Sequence, residues 1–232
     1  MSFINMTMIV ARKEIKDIIK NKGLLFGSVW IGSSFGIVFS AQALSLDNSV
    51  FSMALLAGIL VGYMFSGQVF LREKREGIIE TLLCTPLSLK SIWFGKVVGA
   101  TIPAYLISLL TVALVTIVSN ITLQSLLLPS VVILIHILAV VPVFITSAIS
   151  LMGFCQFLFG MRENKIIGYL VMLGLFPFVF PHIFGGLILG NMSLVVSWSE
   201  VVVLLIVSML LLAVTTYSSR YLSKEKIVTT IS

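Results

Sequence analysis

The sequence predicts an all-α integral membrane protein with six transmembrane helices, and three observations carry that prediction. Of its 232 residues, 59% are hydrophobic and only 10% are charged, with a mean hydropathy of +1.15. Soluble domains carry about 25% charged residues, and a soluble core of this length could not hide so much apolar surface. The apolar residues form six long runs, each close to the roughly 20 residues that a span needs. The fifteen Lys and Arg divide to one side of those runs. Residues 1–232 therefore read as a single transmembrane domain.

The first element precedes any long apolar run. Over residues 4–22, Ile4, Met8, Ala11, Ile15 and Ile18 recur at helical spacing, while Arg12, Lys13, Lys16, Asp17 and Lys20 take the other faces. This is an amphipathic helix suited to the membrane surface, the interfacial helix of the fold. Charges come first and a long span afterwards, so the first span is expected to stay in the mature protein rather than be cleaved as a signal.

Six membrane segments follow, at 24–43, 51–71, 91–118, 126–160, 166–190 and 199–219. Gly32 and Gly36 in the first, and Gly58 and Gly62 in the second, are spaced for close helix packing in lipid. The segment 126–160 would be about 52 Å long as a helix, against a hydrocarbon core of about 30 Å. It must tilt, kink at Pro142 or run beyond the membrane. A polar break is expected at "MRENK", 161–165. The fifth segment is interrupted by Pro177, Pro181, Gly185 and Gly186. It reads either as a proline-kinked span or as a span that ends early, with a re-entrant piece before the sixth. Such irregular backbone is tolerated at membrane depth only where protein or a cavity surrounds it.

With the N-terminus inside, the cytoplasmic segments hold Arg12, Lys13, Lys16, Lys20 and Lys22; then Arg72, Lys74, Arg75, Lys90 and Lys96; then Arg162 and Lys165; and finally Arg220, Lys224 and Lys226. That is every Lys and Arg in the chain. The outer loops have only Asp47 and Glu200. The positive-inside rule then puts both termini in the cytoplasm of a multi-pass protein of the cell membrane. An odd number of spans would destroy the partition.

Several kinds of chemistry are disfavoured. No basic stripe with interleaved aromatics points to nucleic acid. Cys84 and Cys155 read as free thiols, with no metal or disulfide framework. His136 and His182 lack the spacing of a zinc site, and no nucleophile elbow occurs, so the chain is not expected to be an enzyme. His136 reads first as a residue hydrogen-bonded to a neighbouring helix, although ionisable groups inside a membrane lean towards function. No span has a mid-membrane carboxylate of the kind that couples transport to an ion gradient. The phosphate-binding loop is absent too: Gly95-Lys96 is followed by Val97, and no glycine stands five before Gly95. Asn120 and Asn191 open tripeptides of the glycosylation pattern, but both sit against span ends and read as chance matches.

The connector after the second span is the most informative stretch. It runs "REKREG", then "IIETLLCTPLSLK". Gly77 can end a helix leaving the membrane. Ile78, Ile79, Leu82 and Leu83 then share one helical face, and Pro86 stops the helix because Thr85 before it disfavours helical geometry. A plain solvated loop would not need four large apolar residues at helical spacing. They must bury against the membrane surface, the spans or a partner protein.

The stretch "REKREGIIETLLCTPLSLKSIWFGK" resembles the signature of the ABC-2 type permeases, the membrane subunits of many ABC exporters. Glu76, Gly77, Glu80, Leu82, Leu83, Thr85, Pro86, Leu87, Gly95 and Lys96 carry the match. This chain has Gly77-Ile78-Ile79-Glu80 where the family usually has Gly-Thr-Leu-Glu, which keeps the apolar face. The resemblance extends over the whole length. It implies an interfacial N-terminal helix, six spans, re-entrant helices between the last two, and a coupling helix in the connector that docks on an ATP-binding cassette subunit. It also implies pairing with a second permease protomer. ATP and magnesium would be bound by the partner ATPase, with no cofactor on this chain. Glu76, Gly77, Glu80, Thr85, Pro86 and Leu87 would couple to the ATPase. Arg12, Lys13 and Lys16 of the interfacial helix would steady the ATPase and the membrane surface. The substrate would cross at the dimer interface between the first, second and fifth spans, with His136, Pro177, Pro181 and His182 as candidate path residues. The membrane subunit of the haem exporter of cytochrome c maturation is similar in length and connector and remains an alternative. So does a passive channel or carrier.

Overall fold

A computed structural model describes residues 3–40, 45–78, 81, 84–85, 87–124, 126–159, 161–178, 196–222 and 227, with backbone alone at 39–40, 123, 161–165, 167 and 178. Among the described residues the chain is about 90% helical and has no strand. The principal helices are α1 (Phe3–Lys20), α2 (Lys22–Ser40), α3 (Leu46–Arg75), α4 (Leu89–Leu123), α5 (Val131–Leu158), α6 (Met161–Leu175) and α7 (Trp198–Ser218, with a last tight turn to Tyr221). Four of them, α3, α4, α5 and α7, are long and apolar enough to cross a membrane. Helix α2 is apolar but shorter, and α6 is followed by a tight turn at Phe176–Phe178. Pro181, His182, Asn191, Lys224 and Lys226 lie outside the described residues.

Local chemistry sets the helix ends. Ser45 caps α3, its hydroxyl accepting the Asn48 N–H at 3.4 Å. Asp47 in the first turn accepts the Ser130 N–H at 3.1 Å, tying the start of α3 to the start of α5. Ser88 caps α4 by accepting the Ser91 N–H. Ser197 and Glu200 form a capping box at α7, so the Glu200 carboxylate serves the helix end. Each cap satisfies amides that the first helical turn leaves without partners.

Several expected boundaries move: α3 starts at Leu46 rather than 51, inside the expected polar loop, and α4 runs to Leu123 rather than 118. The helix of the expected segment 126–160 begins at Val131. Helix α4 ends on Gln124 in the left-handed conformation, and Asn120 closes the turn by donating to Leu127 O and accepting from Leu127 N, both at 3.1 Å. Pro129 has no N–H and disfavours helix in the residue before it, so α5 starts only after Ser130. The polar break expected at 161–165 is instead helical, because those residues open α6. The chain breaks at Phe159, which is extended. Pro142 does leave a mark. The turn before it, His136–Val140, is wound as a wide π turn, which relieves the clash of the proline ring with the carbonyl four residues back.

Helix α3 is the centre of the bundle. Val50, Leu55, Ile59, Val61 and Phe65 are fully inaccessible, as expected of a helix apolar all round. Helices α2 and α4 pack on one side of it and α5 on another, while α7 packs on α5. The glycine pairs mark the closest crossings. A Cβ at Gly32 would meet the Thr111 hydroxyl at 2.8 Å, and one at Gly58 would meet Ile145 at 2.6 Å. Gly36 and Gly62 face Thr111 and Ile149 one turn on. Each pair presses one helix face onto a β-branched neighbour.

Candidate functional site

Four charged residues, Lys13, Glu14, Glu73 and Lys96, converge on one buried joint. Helix α1 lies across the first turns of α4. A Cβ on Gly95 would stand 2.5 Å from Val10 Cβ and 2.8 Å from the Thr7 carbonyl, and one on Gly99 would stand 2.7 Å from Glu14 Cβ. These two glycines let the backbones approach. Phe3 meets Phe94 edge-on at 6.0 Å, and Phe94 meets Trp93 at 4.9 Å.

Lys96 sits between the glycines with its side chain wholly buried. Its ammonium donates to Glu14 Oε1 of α1 at 3.1 Å, to Glu73 Oε2 of α3 at 2.5 Å and to the Val69 carbonyl at 2.7 Å. All three protons of the ammonium have acceptors. Val69 belongs to a wide π turn, Gly67–Leu71, and Phe70 from the same turn holds its ring 5.7 Å from the Lys96 nitrogen. Glu14 and Glu73 are each only 3% exposed. Lys13 closes the group by donating to Glu73 Oε1 and, at 3.1 Å, to Glu14 Oε1. Burial alone would lower the pKa of Lys13, but its bond to Glu73 and the charges of both carboxylates prevail and hold it above the ordinary lysine value. Two carboxylates and two ammoniums thus join three helices with no net charge.

The next residue points elsewhere. Lys74, also fully buried, donates to the carbonyls of Phe159 at 2.6 Å and Gln156 at 3.4 Å, past the end of α5. A cation there suits the negative end of the helix dipole. The Gln156 side-chain oxygen accepts from the Ser66 hydroxyl at 2.9 Å. Adjacent residues of α3 therefore grip α1 and α4 on one side and α5 on the other.

Below this grip the helix stops. The Glu76 N–H bonds to the Arg72 carbonyl, and Gly77 takes φ +69, the left-handed geometry expected of a glycine just past a helix end. Glu76 is exposed and lies 3.7 Å from Arg72. Ile78, Thr81 and Cys84 are exposed, and Thr85 and Leu87 are half-buried. Ile78 and Thr81 are helical; Ile79, Glu80, Leu82, Leu83 and Pro86 lie outside the described residues.

The other sequence candidates are scattered. Arg12 and Lys16 are exposed on α1. His136 is fully buried, its ring stacked on Phe51 at 4.2 Å, within the protomer rather than on its surface. Pro177 is exposed in the turn after α6. Among the described residues no group of His, Cys, Asp or Glu is placed to hold a metal. Glu73 and Glu14 carry no expectation from the sequence, and Lys96 enters it only as a motif residue, without its carboxylate partners. One signal was there: Glu14 falls between Ala11 and Ile18 on the apolar side of α1, where an acid needs a buried partner.

Length and apolarity make this a helical membrane protein. No protein-family model matches the chain, and no curated protein matches it.

Proposed function

We propose that the chain is the membrane subunit of an ATP-driven exporter of the ABC-2 type, working as a dimer and driven by a separate ATP-binding subunit. In this reading all six apolar segments span the membrane, both termini are cytoplasmic, and the stretch between α6 and α7 includes a re-entrant piece. The single observation that carries the proposal is the rooting of the connector. Residues 78–87 follow a left-handed glycine, and the residues just before it are locked to α1, α4 and α5. A partner pressing on the connector would move those helices together. That arrangement suits a transmission element, and the permease-like motif occupies the same residues.

The sequence has no phosphate-binding loop, and in this reading a separate ATP-binding subunit supplies the energy. Co-expression with ATP-binding subunits, purification through a tag on this chain and reconstitution in liposomes test the reading. Stoichiometric co-purification is expected, together with ATP hydrolysis that falls when Glu80→Ala or Pro86→Ala is introduced. If no ATP-binding subunit co-purifies, the exporter reading falls and a passive channel or carrier takes its place.

A further inference from the structure

Helix α1 has three faces. Val10, Ala11, Glu14 and Ile18 are buried. Beside that face runs an apolar stripe left uncovered: Ile4 is 70% exposed, Met8 48% and Ile19 57%. Beyond the stripe, Arg12, Lys16 and Lys20 stand four residues apart, so they form one row along the helix. All three are exposed, and among the described residues none has a carboxylate partner within ion-pair distance. Lys13 does not belong to the row, since Glu14, Asp17 and Glu73 take its charge.

The depth of the helix is fixed by its docking. It crosses α4 at Gly95 and Gly99, six and ten residues past the start of α4 at Leu89, or about 9 to 15 Å along the axis. Amphipathic interfacial helices sit with their apolar face about 5–10 Å into the boundary between headgroups and acyl chains. Phe26 and Trp30, stacked and exposed, stand four and eight residues past the start of α2, about 6 to 12 Å along it, a placement that suits aromatic residues of a membrane interface. At this depth the stripe meets acyl chains and the basic row meets headgroups.

We propose that Arg12, Lys16 and Lys20 form a binding row for anionic phospholipid headgroups, held at the right depth by Ile4, Met8 and Ile19. Three cations in line with no carboxylate partner among the described residues are complementary to phosphodiester groups. The apolar stripe beside them would be unfavourable against an acidic soluble partner. The proposal rests on the chain lying in a membrane and not on the exporter reading.

The test uses the full chain in phosphatidylcholine nanodiscs with a trace of spin-labelled phosphatidylglycerol or spin-labelled phosphatidylcholine. The motionally restricted fraction gives the preference for the anionic lipid. The wild type should prefer phosphatidylglycerol, and the preference should shrink as salt is raised. The triple variant Arg12→Gln/Lys16→Gln/Lys20→Gln should lose most of it, since each surface cation contributes up to about fivefold. The charge-keeping Arg12→Lys/Lys16→Arg/Lys20→Arg should retain it, as should Lys90→Gln, which removes an exposed cation elsewhere on the same side. If the triple glutamine variant is unstable, the single glutamine variants should each lower the preference by part. An undiminished preference in the glutamine variants, or an equal loss in Lys90→Gln, overturns the proposal. The assay contains no ATP-binding subunit, so either result is read independently of the exporter reading.

Discussion

Replacing Lys96 by methionine tests the buried joint directly. Methionine keeps most of the stem but removes the ammonium, leaving Glu14, Glu73 and the Val69 carbonyl to share what remains. Breaking a buried ion pair by removing one partner costs about 3–5 kcal/mol, because the other charge is left without compensation. Here Lys13 still reaches both carboxylates, so the lower end, about 3 kcal/mol, is expected. Adding Glu73→Gln removes the surplus negative charge, and the loss should then shrink to about 1 kcal/mol, the scale of a few imperfect hydrogen bonds. The double variant should therefore be more stable than the single one. Trp93 offers a reporter: it is buried and meets Phe94, which in turn meets Phe3 of α1. In a form with Trp30 and Trp198 changed to Phe, its emission should shift as rising SDS in mixed micelles releases α1. If Lys96→Met stays within about 0.5 kcal/mol of wild type, or if Glu73→Gln deepens its loss, the joint is not held by paired charge.

The remaining predictions concern backbone and titration. Gly95→Leu should force α1 off α4, costing about 1–3 kcal/mol as overpacking, and should make a cysteine introduced at Ala11 reactive to maleimide. Gly67→Ala is the counter-case: a Cβ there meets nothing within 4 Å, so thermal stability should hold or rise by up to about 1 kcal/mol through helix propensity. Gly77→Ala carries a left-handed strain of about 1–2 kcal/mol, while Gly77→Asn should be milder; both are read by melting in detergent, and by ATPase stimulation if a partner subunit is found. Because the folded pKa of Lys13 is raised, its stabilisation is complete below its unfolded value of 10.5 and is lost only as pH rises through the higher folded one. The Lys13 contribution to α1 docking, taken as the difference between wild type and Lys13→Met followed by Trp93, should therefore not weaken between neutral pH and about pH 9, and a loss of that difference within the range would contradict the ion-pair geometry.

Local patterns were legible in the sequence, and long-range pairing was not. Gly77 was expected to end a helix and does so with positive φ. The pairs Gly32/Gly36 and Gly58/Gly62 were expected to allow close packing and do so. Helix α1 was expected as one amphipathic element, and its extent, Phe3–Lys20, follows the periodicity. Its faces were read less well. The spacing predicts one apolar surface from Ile4 to Ile18, whereas Ala11 and Ile18 are buried while Ile4 and Met8 are exposed. A periodicity argument knows only apolar and polar surroundings. This helix has a third, the protein groove over Gly95 and Gly99, which selects small size and a paired acid rather than bulk. Lys96 finds its carboxylates 82 and 23 residues away, and no local rule connects those positions.

That pairing also bears on why charge is kept inside so apolar a chain. Between helices in lipid there is little hydrophobic drive, and association relies on close packing and on hydrogen bonds. Helix α1 is not a span, and its uncovered apolar stripe would lie almost equally well in the membrane surface without touching α4. The glycines permit close approach, but a smooth groove alone leaves neighbouring registers with similar packing. Lys96 removes that degeneracy. A slip of α1 by one turn would pull Glu14 away from Lys96 and leave buried charge unmatched, at a cost of several kcal/mol. Since Glu73 binds the same ammonium, the register of α1 on α4 and the position of the root of the connector are set by one atom. An apolar side chain at 96 could pack as densely, yet it could not make the position of one helix depend on the other.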